Sequence, residues 1–230
     1  MHITLNIDTA TELAHVSLSK GGVVLQSVVN DIQKDHAAFL QPAISQILEN
    51  TGMILQDIDA VAVTAGPGSY TGLRVGLASA KGICYALNKP LVLINTLEAL
   101  TFSLINDRNR EDISSDDWLC PMLDARRMEV YTAVYTKELD PVKEPLAMVL
   151  EEDSFAEMLM QKSMIFFGSG AAKWKAICKS NSAAFREISI TPSAFSLLAL
   201  KYFESGMFAD LAMSQPQYLK EFHDTAKKQL

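Results

Sequence analysis

Histidine, cysteine and tryptophan are scarce in this 230-residue chain, with 4, 3 and 2 copies. Cys84, Cys120 and Cys178 are scattered and odd in number, and no CxxC or Cys/His ligand spacing occurs. That argues against a disulfide framework and a structural zinc site, and leaves buried thiols in a reducing compartment as the expectation. No histidine shares a motif with a nucleophile, so no Ser/His/Asp set can be assembled. Positive charge is also short: 20 Lys and Arg stand against 27 Asp and Glu, giving a net charge of −7. An acidic surface argues against a large self-sufficient nucleic-acid face, though not against a complex whose other member supplies the charge. No uninterrupted apolar run approaches the roughly 18 residues of a membrane span. The start, Met-His-Ile-Thr-Leu-Asn-Ile-Asp, has neither a basic region nor an apolar core, so no signal peptide is expected. Cytoplasmic is the default location.

Apolar residues make up 49% of the chain, enough for a well-buried core in one large or two small domains. Ile3 to Asp8, Ala14 to Ser19 and Val23 to Val29 read as three strands joined by tight turns, an antiparallel meander. From His36 to Asn50 the apolar spacing becomes helical, with Asp35 as an N-cap and Pro42 as an expected kink or start of regular helix. A strand (Ala60 to Thr64), a helix (Thr71 to Leu87), a strand (Leu91 to Ile94) and a helix (Thr96 to Ile105) follow. The polar stretch Asn106 to Asp117 predicts a domain boundary, dividing the chain into 1–108 and 109–230. Beyond it come strands at Trp118 to Leu123, Val130 to Thr136 and, interrupted by Pro145, Val142 to Leu150. A helix near Asp153 to Gln161, a strand at Met164 to Phe167 and a helix from Ala171 continue the order. Thr191-Pro192 is a strong helix start and Gly206 a left-handed stop, while 207–230 has no legible pattern. Both halves begin with an apolar strand ending in Asp (Asp8 and Asp124), a short loop and a second strand. That parallel predicts one βββαβα-type unit used twice.

The sharpest motif is Gly66-Pro67-Gly68-Ser69-Tyr70-Thr71-Gly72-Leu73-Arg74-Val75-Gly76. It reads as a strand-to-helix turn whose glycines permit close backbone approach, with Ser69 and Thr71 able to cap the helix. The same turn without a ligand is the plain alternative. Leu73 follows Gly72 where a P-loop needs Lys, and Pro67 stands where a nucleophile elbow needs Gly. Along this helix Gly72, Gly76 and Ala80 recur every four residues beside Leu73, Leu77 and Cys84. With Phe39, Leu40, Ile44 and Ile47 on the preceding helix, they suggest either packing within the domain or a two-helix subunit interface. His36, at a helix start with no second histidine near, reads first as a surface or capping residue, and His15 as solvent-exposed. Asp8 and Asp124 end paired first strands, where nucleotide-binding relatives of such folds hold Mg²⁺ and phosphate. The loops after them, Thr9-Ala10-Thr11 and Ala125-Arg126-Arg127, contain no Gly to bring backbone N–H groups onto phosphates. Asp8, Thr9 and Asp124 are therefore only weak nucleotide candidates, and Gly168-Ser169-Gly170 adds little.

Taken together, Ile7-Asp8-Thr9, the Gly66–Arg74 motif, Ala80-Lys81-Gly82, Leu97-Glu98-Ala99-Leu100, Asp124–Tyr131 and Pro192-Ser193-Ala194 resemble the TsaB (YeaZ) family. The resemblance implies a duplicated actin-like α/β fold of the RNase H-like, sugar-kinase (ASKHA) type. It implies a role as a non-catalytic subunit in making threonylcarbamoyladenosine in tRNA. The implied partners are the catalytic, metal-binding paralogue TsaD, the ATPase TsaE, tRNA through the complex, and a second copy through the first-domain helices. TsaD-like chains carry a His-x-x-x-His pair after the strand equivalent to Leu91 to Asn95, and Thr96 and Leu100 stand there in this chain. No metal, no catalytic residue and no cofactor are expected beyond weak ATP or ADP binding at the partner interface. An independent actin-fold phosphotransferase or ATPase is the competing reading, and a metallopeptidase the remote one. Arg126, Arg127 and Lys227-Lys228 could add local contacts to tRNA.

Overall fold

A computed structural model describes residues 1–31, 36–107 and 113–220. The meander forms as its turns dictate: β1 (Ile3–Asp8), β2 (Ala14–Lys20) and β3 (Val23–Asn30) pair antiparallel in sequence. α1 (His36–Thr51) then crosses to β4 (Ala60–Gly66), and α2 (Tyr70–Leu87) to β5 (Leu91–Asn95). Both strands join in parallel, because a helical crossover returns the chain in the same direction. α3 (Thr96–Ile105), capped by the Asn95 side chain, closes the half.

The second half repeats the order: β6 (Trp118–Asp124), β7 (Glu129–Tyr135), β8 (Pro141–Val149), α4 (Ala156–Gln161), β9 (Met164–Phe167), α5 (Ala171–Lys175), β10 (Ala183–Arg186) and α6 (Pro192–Glu204). The sheets run β3-β2-β1-β4-β5 and β8-β7-β6-β9-β10, one topology used twice. β8 runs on past Pro145 as an edge strand, but its pairing with β7 shifts register there, from Leu146 opposite Thr132 to Lys143 opposite Val134, as the proline predicts. Likewise α1 runs through Pro42 as one helix. The Asp35 cap and the 108/109 boundary lie outside the described residues.

α1 and α2 cover one face of the first sheet, where Leu40, Ile44, Ile47, Leu77, Ala80 and Cys84 meet Leu5, Ile7, Val16 and Val63. The opposite face is covered from the other half. α6 lies on β1, β2 and β3, and Phe195 meets His15 edge-on with ring centroids 5.5 Å apart. This overturns the expectation that His15 is solvent-exposed: it is 1% accessible, and burial pushes its pKa down to about 4. Some polar groups of that face bond to one another instead of water, while among the described residues Asn6 Oδ1 and both ring nitrogens of His15 are left without a partner. Asn6 Nδ2 donates to Ser17 Oγ, Ser19 Oγ and Ser196 Oγ at 3.3, 3.0 and 3.0 Å. The largest apolar cluster joins Ala62, Ile94 and Leu97 to Leu119, Phe167 and Phe195, so both halves share it.

Residues 207–220 run back over the first half as a strap. Ala209 N donates to Leu91 O (2.9 Å), Gln217 N to Ala65 O (2.7 Å) and Lys81 Nζ to Ser214 O (2.9 Å). Gly66, at φ +114°, has no room for a side chain: a Cβ would sit 2.7 Å from Gln217 O. Among the described residues no helix is long and apolar enough to cross a membrane.

Candidate functional site

A cleft of about 660 Å³ separates the halves. One wall is the β1–β2 turn and the start of α2, with Thr11, Glu12, Ser69, Tyr70 and Thr71. The other is the β6–β7 turn and the loop before α5, with Asp124, Arg126, Tyr131 and Ser169.

The glycine motif builds the first wall by bringing two pieces of this chain together. Ser69 N donates to Ala10 O (2.7 Å), and the Ser69 side chain caps α2 by accepting from Gly72 N (3.3 Å). A Cβ on Gly72 would overlap Thr9 O, and one on Gly76 would overlap Thr9 Oγ1. The small-residue spacing on α2 therefore admits the turn after β1, not a second helix.

That packing also decides where the nucleotide candidates lie. Asp8 and Thr9 are fully buried and do not line the cleft. Thr9 Oγ1 donates to Gly72 O (2.7 Å). Asp8 Oδ1 accepts from Ala10 N and Thr64 Oγ1, both at 3.0 Å, while Oδ2 has no partner. Burial outweighs those bonds and pushes the Asp8 carboxyl up to about 6. Asp124 does reach the cleft, but its Oδ1 is held by Lys173 Nζ (2.7 Å) and by Arg126 N (2.6 Å). Desolvation opposes these contacts only in part, and its pKa lies below the ordinary carboxylate range. Lys173 sits on a five-residue helix far along the chain, and nothing in the sequence pointed to it.

Most of the interface candidates are enclosed as well. Leu40, Ile44, Ile47, Gly72, Leu73, Gly76, Leu77, Ala80 and Cys84 are buried against the first sheet or the β1 turn, because the apolar stripe of each helix faces its own core. His36 is 4% accessible, and its Nε2 lies 3.2 Å from Thr11 O, tying α1 to the β1–β2 turn. Phe39 alone of that set keeps partial exposure. The surface that α1 and α2 actually present carries Pro42 and Ser45 on one helix and Ala78, Gly82, Tyr85 and Ala86 on the other. Gln41 Nε2 bridges the two helices by donating to Ser79 Oγ (3.0 Å). Thr96 and Leu100, at the start of α3, are buried. Among the described residues no three His, Cys, Asp or Glu side chains are placed to hold a metal ion.

Two five-stranded sheets of identical order, a helix from each half against the other, and a cleft between define the actin-like, sugar-kinase class of fold. An Arthrobacter polyphosphate/ATP-glucomannokinase shares it at TM-score 0.50 and 11% identity, covering 90% of this chain and 100% of that one, a likeness of fold alone. The family model described as TsaD: tRNA N6-adenosine threonylcarbamoyltransferase matches residues 9–228. The chain belongs to this family, on its TsaB (YeaZ) branch. It is 28% identical to the tRNA threonylcarbamoyladenosine biosynthesis protein TsaB of Escherichia coli (strain K12), over 94% of each chain. It is 33% identical to the TsaB of Bacillus subtilis (strain 168) over 57% of this chain, a match spanning 54% of that relative's length. YeaZ from Pseudomonas aeruginosa superposes with TM-score 0.75 at 25% identity, over 95% of this chain and 100% of that one.

Proposed function

We propose that this chain serves threonylcarbamoyladenosine biosynthesis in tRNA as a non-catalytic subunit in the cytoplasm. It binds a separate TsaD-type transferase through the outer face of α1 and α2, and TsaE joins the assembly. The observation that carries this reading is the start of α3. Where the family resemblance implies a metal-gripping histidine pair in the catalytic chains, Thr96 and Leu100 stand, and a leucine cannot ligate a metal. The partner face is not the apolar stripe first suggested by spacing but its opposite side, where Ala78, Gly82 and Ala86 are small and exposed and let a partner helix approach closely. In the absence of the transferase the same face serves a homodimer. A nucleotide, held weakly, belongs at the partner interface, since Asp8 and Thr9 are enclosed and Asp124 is neutralised by Lys173. Those two facts also weigh against an independent ATPase.

Reconstitution tests the proposal. The purified chain, the TsaD-type protein of the same genome and TsaE are assayed together for threonylcarbamoyl transfer to tRNA. Activity should require all three, and Gly82→Arg should weaken co-elution with the transferase at least about tenfold, equivalent to about 1.4 kcal/mol. Gly82→Ala should not. Full transfer without this chain refutes the role, and unchanged co-elution of a folded Gly82→Arg protein refutes the face.

A further inference from the structure

Acidic residues crowd one short stretch of the second half. Glu151, Glu152, Asp153 and Glu157 all lie exposed between Leu150 and Met158. Among the described residues only Glu152 meets a cation, Lys179, and both members of that pair stand open to solvent. Such a run by itself is an ordinary solvated edge. What sets it apart is the cavity it borders.

α4 turns Phe155 and Leu159 into the core, while Ala156 and Met160, one position further along, line a cavity of about 500 Å³. Trp174, Cys178 and Lys179, at and beyond the end of α5, form the opposite wall. This cavity shares no lining residue with the cleft between the halves. Met160 is 79% exposed at its edge, and an unbranched thioether adapts its shape to whatever enters. The Trp174 ring is fixed by Phe155 and Phe166, with centroids 5.2 and 6.0 Å away. Its indole Nε1–H is sealed from solvent and meets no acceptor among the described residues. A buried donor without an acceptor is costly, so a group that brings one is favoured there. The Glu152–Lys179 pair joins the two walls at the rim.

We propose that this cavity docks a peptide segment of a partner protein, one bulky apolar side chain flanked by basic residues. The apolar side chain rests on Leu159, Met160 and Trp174, and the basic residues meet Glu151, Glu152 and Asp153. Lys179 gives up Glu152 to the segment, which parts the walls and lets a backbone carbonyl accept from Trp174 Nε1–H. The net charge of −7 favours the same partner at longer range. The site lies apart from the α1 and α2 face, so it serves a further contact.

Tryptophan fluorescence of the full chain carrying Trp118→Phe, which leaves Trp174 as the single indole, tests it with synthetic peptides. Acetyl-Arg-Phe-Arg-amide should shift the Trp174 emission saturably, with a Kd on the order of 0.1–1 mM for so small a ligand. It should also slow the reaction of Cys178 with an aromatic disulfide reagent, since Cys178 lines the cavity and Cys84 and Cys120 are buried. Acetyl-Arg-Ala-Arg-amide and acetyl-Glu-Phe-Glu-amide should each bind at least about tenfold more weakly. Glu152→Lys/Asp153→Lys should weaken the first peptide at least about tenfold, and Met160→Ser about threefold. All three positions are exposed, so circular dichroism should report the wild-type fold. Trp174→Phe keeps an aromatic floor but loses the N–H, and Cys178 protection should then need about fivefold more peptide. No saturable shift below about 10 mM overturns the proposal. So does equal affinity for the alanine peptide, the glutamate peptide or N-acetylphenylalaninamide, or binding indifferent to the surface substitutions. An unchanged peptide requirement in Trp174→Phe overturns the indole contact.

Discussion

Two glycines on α2 occupy opposite environments. A Cβ at Gly72 would overlap the carbonyl oxygen of Thr9, whereas one at Gly82 meets nothing within 4 Å. Gly72→Ala should therefore destabilise the protein by about 1–3 kcal/mol, because backbone has to shift. Gly82→Ala should stabilise it by about 1 kcal/mol, the ordinary helix preference of alanine. Urea midpoints with unchanged m-values check both, and equal effects would refute the assignment of Gly72 to close approach. Asp8 and His15 are cross-strand neighbours whose titrations act in opposite senses. The Asp8 carboxyl titrates near 6 when folded against 3.8 ordinarily, so the folded chain holds its proton more tightly. The stability gained from that proton is full below about pH 4 and is lost as pH rises through 6. His15 titrates near 4 against 6.5, so its contribution is full above about pH 6.5 and is lost as pH falls through 4. Between pH 4 and 6 the two slopes oppose each other and largely cancel. Asp8→Asn keeps an acceptor for Ala10 N and Thr64 Oγ1 but removes the proton. Its stability relative to wild type should rise between pH 4 and pH 7 by on the order of 3 kcal/mol. Urea unfolding of both proteins at several pH values measures it, and a difference that does not vary with pH refutes the claim.

Elements were legible where their pattern is local and illegible where a distant segment decides. The meander, the three helices of the first half and the cap at Thr191 follow from alternation, helical spacing and capping chemistry within a few residues. The strand Ala183–Arg186 has no signal in the sequence because four residues carry no usable period. His15 departs from expectation for a different reason: alternation predicts one wet face, and α6, arriving more than 170 residues later, dries it. On α1 and α2 the spacing correctly marked a buried stripe but could not say whether a core or a partner buries it. The strap has no periodicity at all, since it consists of single backbone bonds to Leu91 and Ala65 and side-chain bonds to α2. Its physical effect is still calculable in kind. β5 is the edge of its sheet, and the strap covers the carbonyls of that edge and of β4. Truncation after Gly206 should expose them, lower the thermal midpoint by several degrees and promote concentration-dependent association through the uncovered edge. Sedimentation and calorimetry of the truncated chain check this; a monomer with an unchanged midpoint would show that the strap contributes nothing.

At the scale of the whole molecule, the duplication was visible in the two strand-Asp-loop units, yet the way the copies are joined was not. No pattern within α6 says that it packs on the sheet of the other half, because its apolar face would serve either. The consequence is that neither half owns a complete core. Phe195, fully buried on α6, touches His15 of the first sheet and belongs to the cluster shared with Leu97, Leu119 and Phe167. Phe195→Ala should cost about 3–5 kcal/mol, a cavity the surrounding strands cannot collapse into. Because that cluster spans both sheets, the loss should appear everywhere at once. Trp118 and Trp174 report the second half by fluorescence, and amide exchange in β1 and β2 reports the first. Both signals should shift to the same lower urea concentration in the variant. Protection retained in β1 and β2 after the tryptophan signal has unfolded would mean that each half stabilises itself and that the shared cluster is an interface between two independent units.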